Sequence, residues 1–168
     1  MNVFIDALSA KNGGGITYIE NLLQKIPLKK NLRIYIATQK DFTYTGNDKR
    51  LSFYKINWPI SNPILRLIWQ VFFLPFVLDR LKINSLFVPG GIVFTKINKK
   101  YKLITMFRNM LPFDQNQMQR YPYSVFKIKV LLSKFFIIRS LLKADKVIFI
   151  SKFAEEFITN LHKDIKNK

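Results

Sequence analysis

The chain has no cysteine and only one histidine among its 168 residues. The absence of cysteine excludes disulfides, thiol catalysis and cysteine-ligated metal sites, and it permits an intracellular location. No group of His, Asp and Glu has the spacing of a metal site, so we expect no metal. The single histidine, His162, lies on an expected surface near the last residues. We therefore expect it to be solvated rather than catalytic.

Acidic residues are also scarce, with 10 Asp plus Glu against 28 Lys plus Arg, which leaves a formal net charge of +18. Such a charge attracts phosphates, nucleic acid or an anionic membrane surface. Part of it can equally reflect the codon usage of an AT-rich genome, because Lys, Asn, Ile, Phe and Tyr are all frequent. Nucleic acid is not expected, since RNP-type aromatics, zinc-finger spacing and a homeodomain-like helix are all missing.

No apolar run is long enough to cross a membrane. The most apolar stretch, Ile64–Leu78, falls short of the roughly 20 residues that a spanning helix needs, and Arg66, Gln70 and Pro75 interrupt it. We expect it to be buried or to lie at an interface. The first ten residues lack a basic region and carry Asp6 within their apolar run, so they do not resemble a signal peptide.

What the chain does have is a large apolar content, with 49% hydrophobic and 15% aromatic residues. This composition and length are typical of one globular domain with a packed core. We expect the domain to cover residues 1–162 and residues 163–168 to form a polar, frayed tail.

Short apolar runs rich in β-formers recur along the chain and predict six strands, at residues 3–5, 32–37, 51–56, 86–88, 103–107 and 146–150. Helical periodicity predicts helices between most of them, at about residues 17–26, 63–82, 123–142 and 152–162. Thr17 and Glu20 match a capping box, Pro75 marks a kink or boundary, and Ser151 is an expected N-cap. Residues 108–119 lack helical patterning and predict a loop.

Alternating strands and helices predict an α/β fold, a Rossmann-like, mostly parallel sheet with helices on both faces. Three unusual segments each follow a predicted strand: Asn12, Gly13, Gly14 and Gly15; Pro89, Gly90 and Gly91; and residues 108–114. Ligands of parallel sheets bind beyond the carboxyl ends of the strands. We therefore expect these three segments to meet at one edge of the sheet.

The glycine run lets the backbone pass close to a ligand, and the helix that follows offers its N-terminal amides to an anion. The run is not the GxGxxG pattern of dinucleotide-binding proteins and lacks the Lys-Ser/Thr of a P-loop. A plain flexible turn is the alternative interpretation. The Pro89-Gly90-Gly91 segment can likewise be only a tight turn.

Four segments occur in a recognisable order: IDAL followed by NGGGITYIENLL, then LFVPGG, then MFRNMLPFD, then ADKVIFISKFAEE. This order resembles the N-terminal half of a GT-B glycosyltransferase of family 4, the retaining sugar-nucleotide enzymes. The likeness extends from Asn2 to about Phe157. In the last segment it includes Ala144, Asp145 and Ser151, in the family's Ala-Asp-x-Val-Ile-x-x-Ser pattern.

The resemblance implies an acceptor-binding domain whose glycine loop faces a cleft. A second domain, separate from or missing in this chain, would hold most of the nucleotide sugar, which is a co-substrate, so no cofactor is implied. In the mechanism ascribed to the family, the acceptor hydroxyl attacks the face from which the nucleotide diphosphate departs, and the leaving phosphate helps to take the proton. The resemblance also implies a sugar or lipid-linked acceptor. It further implies a cytoplasmic location, with the protein bound to the inner face of the cell membrane.

The cleft segment departs from the family pattern, which often has His-Asp where this chain has Arg108 and Asn109. Neither side chain is a general base at neutral pH, so we expect both to position the acceptor or the phosphate. For Asp6 we expect a structural role at the end of the first strand, and for Asp114 an ion pair. Ser151 completes the residues expected in or near the cleft.

The stretch from Lys96 to Lys143 is strongly basic, and two interpretations of its long helix stay open. The helix can be buried with its cations extended to solvent, or it can rest on an anionic membrane. For the whole chain the leading hypothesis is the acceptor-binding half of a glycosyltransferase, inactive without its donor half. The alternative is a non-catalytic basic α/β module that binds an anionic membrane or polyanion.

Overall fold

A computed structural model describes residues 1–10, 13–27, 31–54, 56–96, 100–166 and 168 of the chain. Six strands form one all-parallel sheet in the order β3-β2-β1-β4-β5-β6. Their bounds are β1 (Asn2–Asp6), β2 (Arg33–Ala37), β3 (Leu51–Phe53), β4 (Ser85–Val88), β5 (Lys102–Phe107) and β6 (Lys146–Phe149). The predicted Rossmann-like α/β class is confirmed.

The helices are α1 (Gly14–Gln24), α2 (Pro63–Ile68), α3 (Leu74–Arg80), α4 (Gln115–Arg120), α5 (Val125–Lys143) and α6 (Lys152–Leu161). A π-helical turn (Trp69–Phe73) joins α2 to α3, and short 3-10 turns occupy Leu111–Phe113 and Lys163–Ile165. None of the helices in the described part of the chain has the length and apolar character needed to cross a membrane.

Apolar side chains on both faces of the sheet explain the layered packing. Successive residues of a strand point to opposite faces, and in β1 Phe4 and Ile5 belong to different core clusters. The Phe4 cluster is covered by the π-helical turn and α3, and the Ile5 cluster is covered by α1. A third cluster packs α5, α6 and Ile165 against the end of β5.

All six predicted strands are present, and the largest difference is at β3, which ends at Phe53 rather than Ile56. The physical reason is its position at the sheet edge. Its partner in the sheet is β2, and their last paired residues are Ile36 and Phe53, one residue before β2 itself ends. Because β2 ends at Ala37, it offers no partner for a strand that would continue to Ile56.

The apolar stretch from residue 63 to residue 82 breaks as Pro75 predicts, although the break begins earlier than the proline. Pro75 has no N–H and its ring crowds the preceding turn, and the helix widens into the π-helical turn just before it. This turn directs Trp69 and Gln70 into the interior, where each is at most 7% exposed.

Two local predictions are wrong. The first helix begins at Gly14, not at a Thr17 capping box; the Thr17 hydroxyl donates to the Gly13 carbonyl at 3.5 Å. The expected loop at residues 108–119 contains a 3-10 turn and α4, because Asp114 caps the helix by accepting the Gln117 amide at 3.0 Å. In both places the first helical residues are glycines or polar amides. The apolar periodicity that indicates a helix is therefore missing there.

The expected fraying of residues 163–168 is also wrong. Ile165 is 1% exposed within the third core cluster. The carbonyl of Lys168 accepts the Val147 amide at 3.2 Å, so this segment returns to the edge of β6. One apolar side chain in a polar hexapeptide is sufficient to anchor it, since burying an isoleucine is worth about 1.5–3 kcal/mol.

We expect Leu86→Ala, on β4 in the middle of the sheet, to lower the free energy of unfolding by about 2–5 kcal/mol. Leu86 is 0% exposed, and the substitution leaves a cavity in the core between the sheet and α3. Urea unfolding followed by circular dichroism measures the change. The control Ile64→Ala removes a side chain that is 70% exposed and should shift the same free energy by no more than about 0.5 kcal/mol.

Candidate functional site

The three segments singled out from the sequence follow β1, β4 and β5, which are neighbours in the sheet. Because all strands are parallel, these loops open on the same carboxyl edge. The connections of β1 and β4 leave in opposite directions along the sheet, toward β2 and toward β5, and ligands of parallel sheets bind at such a point. We call this place, between the glycine loop, the Pro89–Gly91 turn and Arg108, the crevice. Asn12, one of the predicted residues, lies outside the described residues.

The fold requires two of the three glycines after β1, and for different reasons. Gly13 is the N-cap of α1 with φ +56°, a backbone conformation that favours glycine. A Cβ on Gly15 would lie 3.3 Å from the Ala10 Cα, so packing keeps that position small. Gly14 is different: its backbone is that of an ordinary helical residue, and a Cβ there would meet no atom within 4 Å. Gly14 is therefore exposed, with open space beside its backbone.

The glycines after β4 are held against neighbouring loops. A Cβ on Gly90 would lie 3.0 Å from the Cβ of Ser9, in the loop after β1, and closer still to its hydroxyl. Gly91 has φ +80°, and a Cβ there would lie 2.8 Å from the Met106 carbonyl oxygen. Pro89, just before them, is buried. The Pro89–Gly91 turn therefore packs between the loop after β1 and the last residues of β5.

Arg108 extends from the end of β5 toward the glycine loop. Its Nη2 lies 3.8 Å from the position that a Cβ on Gly15 would occupy. Burial raises the pKa of the nearby Tyr18 hydroxyl, and the positive charge of Arg108 opposes that rise. Arg108 is half-buried, so it supplies a fixed positive charge and several N–H donors to this part of the crevice.

Asn109 is brought to the same edge, but it has a local role as well. Its Oδ1 accepts the Leu111 amide at 3.2 Å, which shapes the turn that leads to α4. Ser151 is not brought to the crevice. It follows β6, the outermost strand, and its hydroxyl caps α6 by accepting the Ala154 amide at 3.2 Å.

Below the crevice, Asp6 is buried at the end of β1 and is 3% exposed. One carboxylate oxygen accepts the Leu8 amide at 3.2 Å and the other accepts Nε2 of Gln70 at 2.6 Å. Burial raises the pKa of the Asp6 carboxyl, and the two hydrogen bonds and the charge of Arg66 partly oppose the rise. The expected structural role of Asp6 agrees with these contacts, because they attach the start of the glycine loop to the π-helical turn.

The Leu8 carbonyl is the second attachment point of the loop. It accepts Nη1 of Arg66 at 3.1 Å and Nε2 of Gln39, which come from α2 and from the end of β2. Thr95, in the loop after β4, donates its hydroxyl to the Gln70 carbonyl at 2.9 Å. These bonds connect the loops after β1, β2 and β4 into one polar network under the crevice, which limits their movement.

Other predicted acid–base candidates lie away from the crevice. Asp114 caps α4, as described above, instead of making the expected ion pair. His162 follows α6 at the far edge of the sheet. Within the described ranges, no three His, Asp or Glu side chains are grouped as a metal site would require.

Sequence reasoning missed a second open cavity of about 570 Å³ beyond β5 and β6, on the same edge of the sheet. Its lining residues are Met110, Phe113, Asp114, Gln115, Asn116, Phe153 and Phe157. The rings of Phe153 and Phe157 lie 6.2 Å apart and are 66% and 36% exposed. Their spacing of four residues on α6 is the one sequence signal that places them on a common face.

The glycine loop and Arg108 combine an open backbone with a permanent cation, which can bind a polar or negatively charged group. Asp6, the carboxyl at the end of β1, is enclosed by its hydrogen-bond partners. In comparisons with models of protein families, with curated proteins and with solved structures, this chain matches none.

We expect Gly14→Ala to leave the free energy of unfolding unchanged or to raise it by up to about 1 kcal/mol, because alanine is favoured over glycine in a helix. Gly91→Ala should lower it by about 1–3 kcal/mol, since alanine is strained at φ +80° and meets the Met106 carbonyl. Urea unfolding of the two variants makes the comparison. Equal effects would contradict the distinct requirements assigned to the two glycines.

The buried Asp6 carboxyl predicts a pH dependence of stability. Its pKa is raised from 3.8, so the folded chain holds this proton more tightly than the unfolded chain. The resulting stability is fully present below pH 3.8 and is lost as the pH rises through the folded-state pKa. Unfolding free energies measured from about pH 3.5 to about pH 7 should therefore decline with pH more in the wild type than in Asp6→Asn. The surface substitution Asp41→Asn is the control and should retain the decline.

Proposed function

We propose that this chain is the acceptor-binding half of a retaining glycosyltransferase that transfers a sugar from a nucleotide sugar. The observation that carries the proposal is the meeting of the loops after β1, β4 and β5 at the crevice of an all-parallel sheet. These are three of the four segments through which the sequence resembles the family. Acceptors in the synthesis of cell-surface polysaccharide or glycolipid are the substrates that we propose.

Gly14 supports a ligand in the crevice more directly than its neighbours do. Backbone conformation accounts for glycine at residue 13, and packing accounts for it at residue 15. Neither explains Gly14, which is exposed and where a Cβ would meet no atom within 4 Å. A ligand that approaches the backbone closely would need that space, and α1 directs its first amides toward it.

Arg108 is the residue that we propose to position a negatively charged or hydroxyl-rich group in the crevice. Its guanidinium is always charged and donates several hydrogen bonds in a fixed plane. In the mechanism that the resemblance implies, the leaving phosphate of the donor takes the acceptor proton. The acceptor half then needs to orient a hydroxyl and does not need to supply a base, which is compatible with a crevice that lacks His-Asp.

The donor would be held mainly by a second domain, as in the family that the chain resembles. A nucleotide sugar is then a co-substrate that reaches the glycine loop from the opposite wall of the cleft. The partners that we propose are a sugar or lipid-linked acceptor and a donor-binding domain, in a cytoplasmic setting next to the membrane. The alternative is a non-catalytic basic module that binds an anionic surface. Both proposals would use the surface of α5.

We expect isothermal titration of the chain with nucleotide sugars to show no binding in the micromolar range. Binding of acceptor saccharides, screened on an array of polysaccharide repeat units, should be weakened about tenfold or more by Arg108→Ala, because a hydrogen bond to a charged group is worth about 1.5–3 kcal/mol. Gly14→Val should weaken the same binding by filling the open space while preserving the fold.

Arg33→Ala is the matched control, since Arg33 is exposed at the opposite, amino-terminal edge of the sheet. It should bind saccharides as the wild type does. Micromolar affinity of the chain for a nucleotide sugar would contradict the division into two halves. An array on which no saccharide is bound would contradict the acceptor assignment.

A further inference from the structure

The long helix α5 has an apolar stripe on the side that faces away from the sheet. Ile128, Leu131, Leu132 and Phe135 are 57%, 50%, 54% and 62% exposed. Their spacing of three and four residues places them side by side on one face of the helix. Leu142, which is 38% exposed, continues the same face toward the C-terminal end. We call these five side chains the outer stripe.

The outer stripe is separate from the face through which α5 contributes to the core. Val130, Ile137 and Leu141 are buried on the opposite side of the helix. Ser140 lies there too, and its hydroxyl accepts the Val93 amide at 2.8 Å. The helix therefore has two apolar faces, and folding of this domain uses only one of them. A contiguous exposed apolar surface of this kind marks a place of interaction.

Cations flank the outer stripe on both sides. At 3.6 residues per turn, Lys127 and Lys134 lie along one side, and Lys129 and Lys143 along the other. Arg139 lies within the exposed face itself. The sequence has no Asp or Glu between Asp114 and Asp145, so no acid of the helix offsets these charges.

The start of α5 extends the surface. Tyr123, just before the helix, is 95% exposed, and Val125 is 68% exposed. The ammonium of Lys127 lies 4.5 Å from the centre of the Tyr123 ring. Tyrosine beside a lysine is typical of the water–lipid boundary, where an amphipathic ring is stabilised at headgroup depth.

We infer that α5 is a membrane seat: it lies in the headgroup region of an anionic bilayer, parallel to the surface. The outer stripe enters the apolar boundary, and the flanking lysines contact lipid phosphates. The helix carries five cations over 19 residues and therefore lies on the bilayer without spanning it.

Charge favours a lipid surface over a second copy of this chain. A pair of α5 helices packed through their outer stripes would place rows of like-charged side chains together on two molecules of net charge +18 each. Like charges at such an interface are repulsive, whereas anionic headgroups neutralise them. The same charges would also attract an acidic protein, which is an outcome that the experiment below separates.

The seat has a consequence for the acceptor, and this step rests on the proposed function. Helix α5 connects the carboxyl end of β5 to the start of β6, so its first turn lies at the edge that carries the crevice. A membrane along α5 is then next to the crevice. The acceptor class that fits this arrangement is a lipid-linked saccharide whose sugar extends from the headgroup layer.

Flotation of the full chain with vesicles tests the seat. At physiological salt we expect it to float with phosphatidylcholine vesicles that contain phosphatidylglycerol and to remain unbound with phosphatidylcholine alone. The triple substitution Leu131→Gln, Leu132→Gln and Phe135→Gln should reduce partitioning by about tenfold or more, because each large apolar side chain contributes more than about 1 kcal/mol when buried. Glutamine retains helix propensity, and circular dichroism checks the fold.

The matched control is Ile64→Gln, Phe72→Gln and Phe76→Gln, which removes three side chains that are 70%, 62% and 75% exposed on the α2–α3 segment. This variant should float as the wild type does. Lys129→Gln should weaken binding to anionic vesicles by about fivefold, as expected for about 1 kcal/mol per cation near the surface.

The seat would be overturned by a wild-type chain that does not float with anionic vesicles or by a stripe variant that floats as well as the wild type. A concentration-dependent dimer that is lost in the stripe variant on analytical ultracentrifugation would overturn it as well. Retention by an acidic protein without flotation would also overturn it. Flotation needs no saccharide, and the saccharide array needs no membrane, so the seat and the proposed function can fail independently.

Discussion

The parallel pairing of β1 with both β2 and β4 is the constraint on which the rest of the molecule depends. Since every neighbouring pair in the sheet is parallel, each connection must return across a face before the next strand begins, and apolar side chains on both faces hold these connections. All the strand ends that carry loops then lie on one edge. The crevice between β1 and β4 follows from this order of strands, because their connections leave toward opposite sides of the sheet.

Buried polar groups keep that edge in place. A carboxyl as enclosed as Asp6 is costly unless it is hydrogen-bonded, and here its partners come from the loop itself and from the π-helical turn. The π-helical turn places the side chain of Gln70 inside the protein. A regular helix interrupted only at Pro75 would not predict a buried glutamine at this position. Together with the bonds to the Leu8 carbonyl, this network holds the glycine loop while its backbone remains open to a ligand.

The surface of α5 shows how one helix can serve two environments. Its inner side chains complete the third core cluster, while its outer stripe lies exposed between rows of cations. Both faces are apolar, so the sequence of α5 alone is compatible with a fully buried helix as well as with a membrane-seated one. The structure excludes a fully buried helix, since the outer stripe of α5 is exposed.

The sequence by itself determined the six strands, the three segments at the carboxyl edge and the cap at Ser151, because these depend on local apolar runs, turn residues and hydrogen bonds within a few positions. It did not reveal the helix start at Gly14, the hidden α4 or the anchored Ile165. Only the tertiary structure decided which glycines the fold requires, what surrounds Asp6, and which face of α5 stays exposed. Those properties depend on contacts between residues far apart in the chain, such as Gln70 with Asp6 and Ser9 with Gly90, and local pattern contains no information about such partners.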